Sequence, residues 1–225
     1  MIKDEENRSN KYLELLDSKP WERMENYFGD RTQGEPIYID KIDINPEEWI
    51  QFSVDNFDLA KVDWERTRDY QIEEADYIAK LNNELGRDIG NSFEVSFGYL
   101  GDSNKKLVNL LGDDNINKLG LEKDTLLARM IIHTPGHSVA WHEDNPLNGY
   151  KMAFPDIEID PDRVIRYWFS AIDWVPGQVF EVGETVISSW NAGDVWQIPF
   201  GVPHAVANFG YHIKFSVSLT GHLKK

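Results

Sequence analysis

Three side chains have the types and spacing for metal chemistry. His142 and Asp144 are two residues apart in a run with strand character, and His204 follows a Pro- and Gly-rich turn, residues 199–203. Residues two apart in a strand point to the same face, so His142 and Asp144 share one. If His204 joins them, two imidazoles and one carboxylate meet. That donor set suits a divalent first-row ion such as Fe(II), and it leaves coordination positions open. With no cysteine in the chain, thiolate metal sites and disulfides are both excluded.

Something must bring residues 142, 144 and 204 together, and the second half of the chain reads as short strands. Runs at 125–133, 137–142, 163–175, 178–182, 185–190, 194–198, 204–208 and 212–220 are each bounded by Gly, Pro, Asn or Asp. Residues 145–162, rich in Pro, Asp and Asn, read as a long loop. Evenly spaced short strands imply a sandwich or barrel.

The first half differs. Residues 1–35 are polar and read as an arm, and 37–39 as a strand. Pro46 followed by Glu47 and Glu48 reads as a helix start. An apolar face at helical spacing predicts a core-covering helix over 67–85, stopped by Gly86. Residues 93–100 alternate as a strand, and 105–111 and 114–119 read as short helices. The expectation is one domain over 1–225. Residues 1–124 would give N-terminal helices and accessory strands, and 125–222 a jelly-roll core, a double-stranded β-helix.

At 41% hydrophobic residues the chain has enough apolar material for a real core. Its formal net charge of -16 repels phosphate-rich partners and makes nucleic acid a poor candidate. The charged start and the lack of any long apolar run give no membrane partner and lead to the expectation of a soluble, cytoplasmic protein.

The spacing goes beyond His-x-Asp. Gly193, Pro199, Gly201, His204 and Asn208 fit the second cupin motif, G-x5-P-x-G-x2-H-x3-N, at every fixed position. Gly136, five residues, and then His142-x-Asp144 resemble the first cupin motif, with Asp144 in place of its second His and no clear counterpart of its downstream Glu. His-x-Asp with a distant His is the pattern of the Fe(II)/2-oxoglutarate oxygenases, a branch of that superfamily. Lys214 and Ser216, on one face of the last strand, resemble the Arg-x-Ser that some of these oxygenases use, with Lys in place of the commoner Arg. A fainter likeness is to aspartyl/asparaginyl hydroxylases, which commonly lack the Asp of His-x-Asp.

The resemblance implies Fe(II) on His142, Asp144 and His204, with 2-oxoglutarate anchored by Lys214 and Ser216 and O2 as co-reactant. The outcome would be hydroxylation of an amino-acid side chain, free or in protein, or of a small metabolite. Arg129 and Arg166 are candidates for substrate or cosubstrate carboxylates, because a buried Arg needs an anion. Asn208 is a candidate for contacting substrate or orienting a ligating His. His133 and His137 are four apart, but Pro135 and Gly136 rule out a helical zinc-protease pair, so they read as structural or as supports behind the ligands. Two other classes stay open: a cupin metalloenzyme or binding protein that does not use 2-oxoglutarate, and a metal-free jelly roll.

Overall fold

The computed structural model describes residues 34–63, 94–98, 101–144 and 146–225. The helix expected over 67–85 and most of the arm expected at 1–35 lie outside these residues.

Among the described residues the strands form two antiparallel sheets. The larger contains β1 (Ile37–Lys41), β2 (Lys61–Asp63), β3 (Glu94–Phe97), β4 (Leu127–His133), β6 (Val164–Phe169), β9 (Asp194–Gln197) and β11 (Lys214–His222), in the order β1-β9-β6-β11-β4-β3-β2. The smaller contains β5 (Ser138–His142), β7 (Gln178–Val182), β8 (Thr185–Ile187) and β10 (His204–Asn208), in the order β5-β10-β7-β8. Consecutive strands cross between the sheets, β4 to β5, β6 to β7 and β10 to β11, as a jelly roll requires.

The period of two explains why β11 is buried on both faces. Phe215, Val217 and Leu219 turn outward into a core with Phe97, Met130, Tyr167 and Phe169. Leu107 and Leu111 of α2 (Asp102–Leu111) and Ile116 of α3 (Asp113–Lys118) cover that core. Trp49 of α1 (Pro46–Asp55) joins it, edge-on to Phe169 at 5.5 Å. Asn45 caps α1 by accepting from Glu47 N, and Pro46 opens the helix where a missing N–H costs nothing. The alternate residues Lys214 and Ser216 turn the other way, into the space between the sheets. There a second apolar cluster forms from Trp168, Phe180, Val182, Ile187, Trp190, Ile198 and Val202.

Several sequence boundaries move. The long loop expected at 145–162 contains a helix, α4 (Pro146–Ala153). Pro146 is at its first position, and Tyr150 anchors it, fully buried, with its hydroxyl donating to Thr125 O at 2.7 Å. The strand expected from 125 starts at Leu127, after a single 3-10 turn (Lys123–Thr125). The strand expected over 163–175 ends at Phe169, because the Ser170 hydroxyl bonds Ile172 backbone groups and turns the chain.

Gly193 shows why a glycine stands at the head of the 193–208 motif. Its φ is +81°, and a Cβ there would lie 2.4 Å from Ile42 O, on the segment whose Ile42 N donates to Gly193 O at 2.9 Å. Gly193→Ala therefore meets a backbone clash on top of the left-handed cost of about 1–2 kcal/mol. A chain of this size loses roughly 2–4 °C of Tm per kcal/mol. A thermal melt should show a fall of several degrees, and an unchanged melt would remove this close approach from the account.

Candidate metal centre

His204 opens β10 and His142 closes β5, and the antiparallel register sets them directly opposite each other. Their ring centroids are 4.3 Å apart. Asp144, two residues beyond His142, reaches both: Oδ1 lies 3.7 Å from His142 Nε2, and Oδ2 lies 3.4 Å from His204 Nε2. One donor atom from each of the three lies within 4.8 Å of the others, close enough for one ion to hold all three. His204 is buried, while Asp144 is about one-third exposed, so the site opens on the Asp144 side.

The protonation states suit a ligand set. His204 Nδ1 sits 3.1 Å from Val202 O. With an ion bound, donation there would place the proton on Nδ1 and leave the Nε2 lone pair for the metal, the support that ligating histidines need. Burial alone would push the Asp144 carboxyl up. The His204 hydrogen bond and the charges of Arg166, His204 and His142 outweigh it and hold Asp144 well below the usual carboxylate range. The anionic form of the carboxylate is thus favoured.

Arg166 donates from Nη2 to Asp144 Oδ2 at 2.8 Å. The anion that this half-buried guanidinium needs is the proposed metal ligand itself. It fixes the carboxylate's direction, as partners behind metal ligands do. Arg166→Met is expected to lower Fe(II) or Co(II) affinity by roughly 10- to 100-fold, the usual cost of such a partner. Titration calorimetry reads this directly, and unaltered affinity would leave Arg166 with no positioning role.

Lys214 is fully buried and donates to Ser216 Oγ at 2.6 Å. Three aromatic rings surround its ammonium: Trp168 at 5.3 Å, Trp190 at 5.5 Å and Phe180 at 5.9 Å from Nζ to ring centroid. Burial lowers its pKa to about 7. Trp190 Nε1 is buried with no hydrogen-bond partner among the described residues. An ammonium and a hydroxyl therefore stand together beside the Trp190 ring. Phe180 is also edge-on to His204 at 6.1 Å, which links this cluster to the triad.

The remaining sequence candidates lie elsewhere. Arg129 faces Glu94, with Nη2 3.5 Å from Oε1, so a protein carboxylate sits at its guanidinium. Asn208 bonds neither His142 nor His204. Its Nδ2 donates to His133 O and His212 O, and its Oδ1 accepts from Gly210 N. It pins the turn between β10 and β11, which explains an Asn at the end of the 193–208 motif by geometry alone. Trp168, Phe180 and Trp190 were missed in the sequence, where each reads as an ordinary strand aromatic. A period-two reading of β6 and β7 places Trp168 and Phe180 on inward faces, but the sequence gives no sign that they meet at Lys214.

No protein-family model matches the chain, and no curated protein matches it. Solved structures with a similar fold include a cupin 2 conserved barrel domain protein from Salinispora arenicola. It is 15% identical, with 43% of this chain and 63% of that one covered and a TM-score of 0.27. A predicted oxalate decarboxylase from Thermotoga maritima is 15% identical over 60% of this chain and 83% of that one, with a TM-score of 0.32. The cupin 2 domain of an XRE family transcriptional regulator from Enterobacter cloacae is 13% identical over 44% and 84%, with a TM-score of 0.30. The chain's own strand order, with two antiparallel sheets and a crossing at each of its jelly-roll turns, is that of a double-stranded β-helix.

Proposed function

We propose that this chain is an Fe(II)- and 2-oxoglutarate-dependent dioxygenase that hydroxylates an amino-acid side chain, free or in protein, or a small metabolite. One observation carries the reading. The His142–Asp144–His204 cluster and a buried Lys214–Ser216 pair belong to the same barrel, and Phe180 touches both.

The donor set fits the metal. Two neutral imidazoles and one carboxylate suit Fe(II) and leave positions open for a chelating cosubstrate. The Lys214 cluster fits a carboxylate, since its buried ammonium has a hydroxyl, and no carboxylate, as its hydrogen-bond partner among the described residues. When bound, Fe(II) with 2-oxoglutarate and O2 supplies the oxidising chemistry: substrate C–H, O2 and 2-oxoglutarate become C–OH, succinate and CO2.

The chain's own residues bind, orient and exclude water. Asp144 and Arg166 act as one hydrogen-bonded unit that sets the carboxylate's direction. Val202 O fixes the His204 tautomer. Trp168, Phe180 and Trp190 keep water from Lys214, so a carboxylate there meets an ammonium in a low-dielectric setting where the attraction is large. α4, which begins two residues after Asp144 in the chain, is the proposed substrate wall. The test is succinate formation that requires Fe(II), 2-oxoglutarate and O2 together. Turnover of a substrate with no 2-oxoglutarate requirement would favour a metalloenzyme of the same fold that works without it.

A further inference from the structure

We propose that Glu94, His133 and His137 form a second divalent-metal site, for a transition ion such as Zn(II), at the opposite end of β5 and β10 from the first. The proposal does not depend on the oxygenase reading.

The geometry comes from a turn and a register. β4 ends at His133, and the turn through Pro135 and Gly136 leads directly into β5, closed by His137 N donating to Thr134 O at 3.1 Å. Gly136 has φ +83°, which lets the chain reverse this sharply. The two imidazoles then lie with ring centroids 5.2 Å apart. Strand pairing puts Glu94 of β3 directly across from His133. Its Oε2 is 3.7 Å from His133 Nε2, near the roughly 3.4 Å between two ligands of a tetrahedral ion with bonds of about 2.1 Å. One atom each from Glu94, His133 and His137 falls within 4.8 Å of the others.

A second observation points to a ligand. His133 Nδ1 and His137 Nδ1 are both buried with no hydrogen-bond partner among the described residues. Buried polar atoms are nearly always paired, and here two Nδ1 atoms beside one buried carboxylate have no partner among the described residues. Burial, then the charges of Lys214, His137 and Arg129, hold His133 well below the usual imidazole range, so it is the neutral ligand form. Two cations stand nearby and oppose a metal. Arg129 meets the other carboxylate oxygen, Oε1, at 3.5 Å. Lys214, across from His133 in the register, loses its charge above about pH 7.

The site is separate from the triad. His137 O accepts from Asn208 N at the far end of β10, four residues from His204, about 13 Å along a strand. An ion there would tie β3 and β4 of the large sheet to β5 of the small one, a structural staple with two nitrogens and one oxygen.

The experiment uses untagged, metal-stripped protein at pH 8, titrated with Co(II) and followed by visible absorption and calorimetry. Wild type should bind two equivalents. The double variant His142→Ala/Asp144→Ala should keep one, and adding His137→Gln should remove it. His137→Gln alone, at a half-buried position that a folded chain tolerates, should bind one, at the triad. Near-UV circular dichroism confirms that each variant is folded. One equivalent in wild type, none in the triad double variant, or two persisting in both His137→Gln and Glu94→Gln would each overturn the proposal.

Discussion

Asp144→Ala is expected to abolish turnover while leaving the chain folded. The carboxylate is the triad's only anion, and it balances Arg166 as well as the ion. Without it, a divalent ion would have to sit beside an unpaired guanidinium. Losing the only anionic ligand should lower metal affinity by more than the roughly 10- to 100-fold typical of losing a supporting partner. Little stability should follow it, because Asp144 is about one-third exposed and stands outside both apolar cores. Asp144→Ala/Arg166→Met separates the two effects: it removes the stranded cation and should still be inactive. Metal content and succinate formation, measured on the same samples, check this. Full turnover by Asp144→Ala would remove the triad from the mechanism.

Lys214→Met should raise the 2-oxoglutarate requirement by roughly 30- to several thousand-fold, the equivalent of about 2–5 kcal/mol for a buried carboxylate left unpaired. Met keeps most of the stem volume among Trp168, Phe180 and Trp190, so Fe(II) affinity should hardly move. The pH dependence gives a second signature. Lys214 has a pKa of about 7 with no carboxylate bound, lowered by burial. A bound carboxylate favours the charged form and raises it. Binding above pH 7 must then take up a proton. Apparent 2-oxoglutarate affinity should be level below about pH 7 and fall by up to about tenfold per unit above it. Lys214→Met should remove that dependence. Lys214→Arg should bind the cosubstrate without the fall, because a guanidinium stays charged, although its larger fork crowds Ser216. Superimposable 2-oxoglutarate curves for wild type and Lys214→Met would take Lys214 out of the site.

Much of this arrangement is legible in the sequence because the local rules and the fold agree. Strand periodicity with Gly and Pro punctuation locates the strands from β4 to β11, and the 193–208 spacing marks the turn before His204. Gly193 and Asn208 in that spacing turn out to serve backbone geometry, one by admitting Ile42 O and the other by pinning the β10–β11 turn. α4 reads as loop because Pro, Asn and Asp dominate its flanks, while its anchor, Tyr150, depends on a distant carbonyl at Thr125. The least legible features are those assembled across strands. Glu94 has no local signal linking it to His133 and His137, since only the β3–β4 register brings them together. The aromatic surround of Lys214 likewise draws single residues from β6, β7 and the segment after β8, which no window of sequence contains.

The central claim is that the His142–Asp144–His204 centre and the Lys214 pocket serve one bound cosubstrate. Anaerobic addition of Fe(II) and then 2-oxoglutarate tests it most directly, read as the visible charge-transfer band of the chelated complex. The account predicts the band in wild type, no band in Asp144→Ala, and in Lys214→Met a band of similar position that needs far more 2-oxoglutarate to develop. Wild-type protein that binds one equivalent of Fe(II) at the triad, yet gives no band at any 2-oxoglutarate concentration, would contradict it.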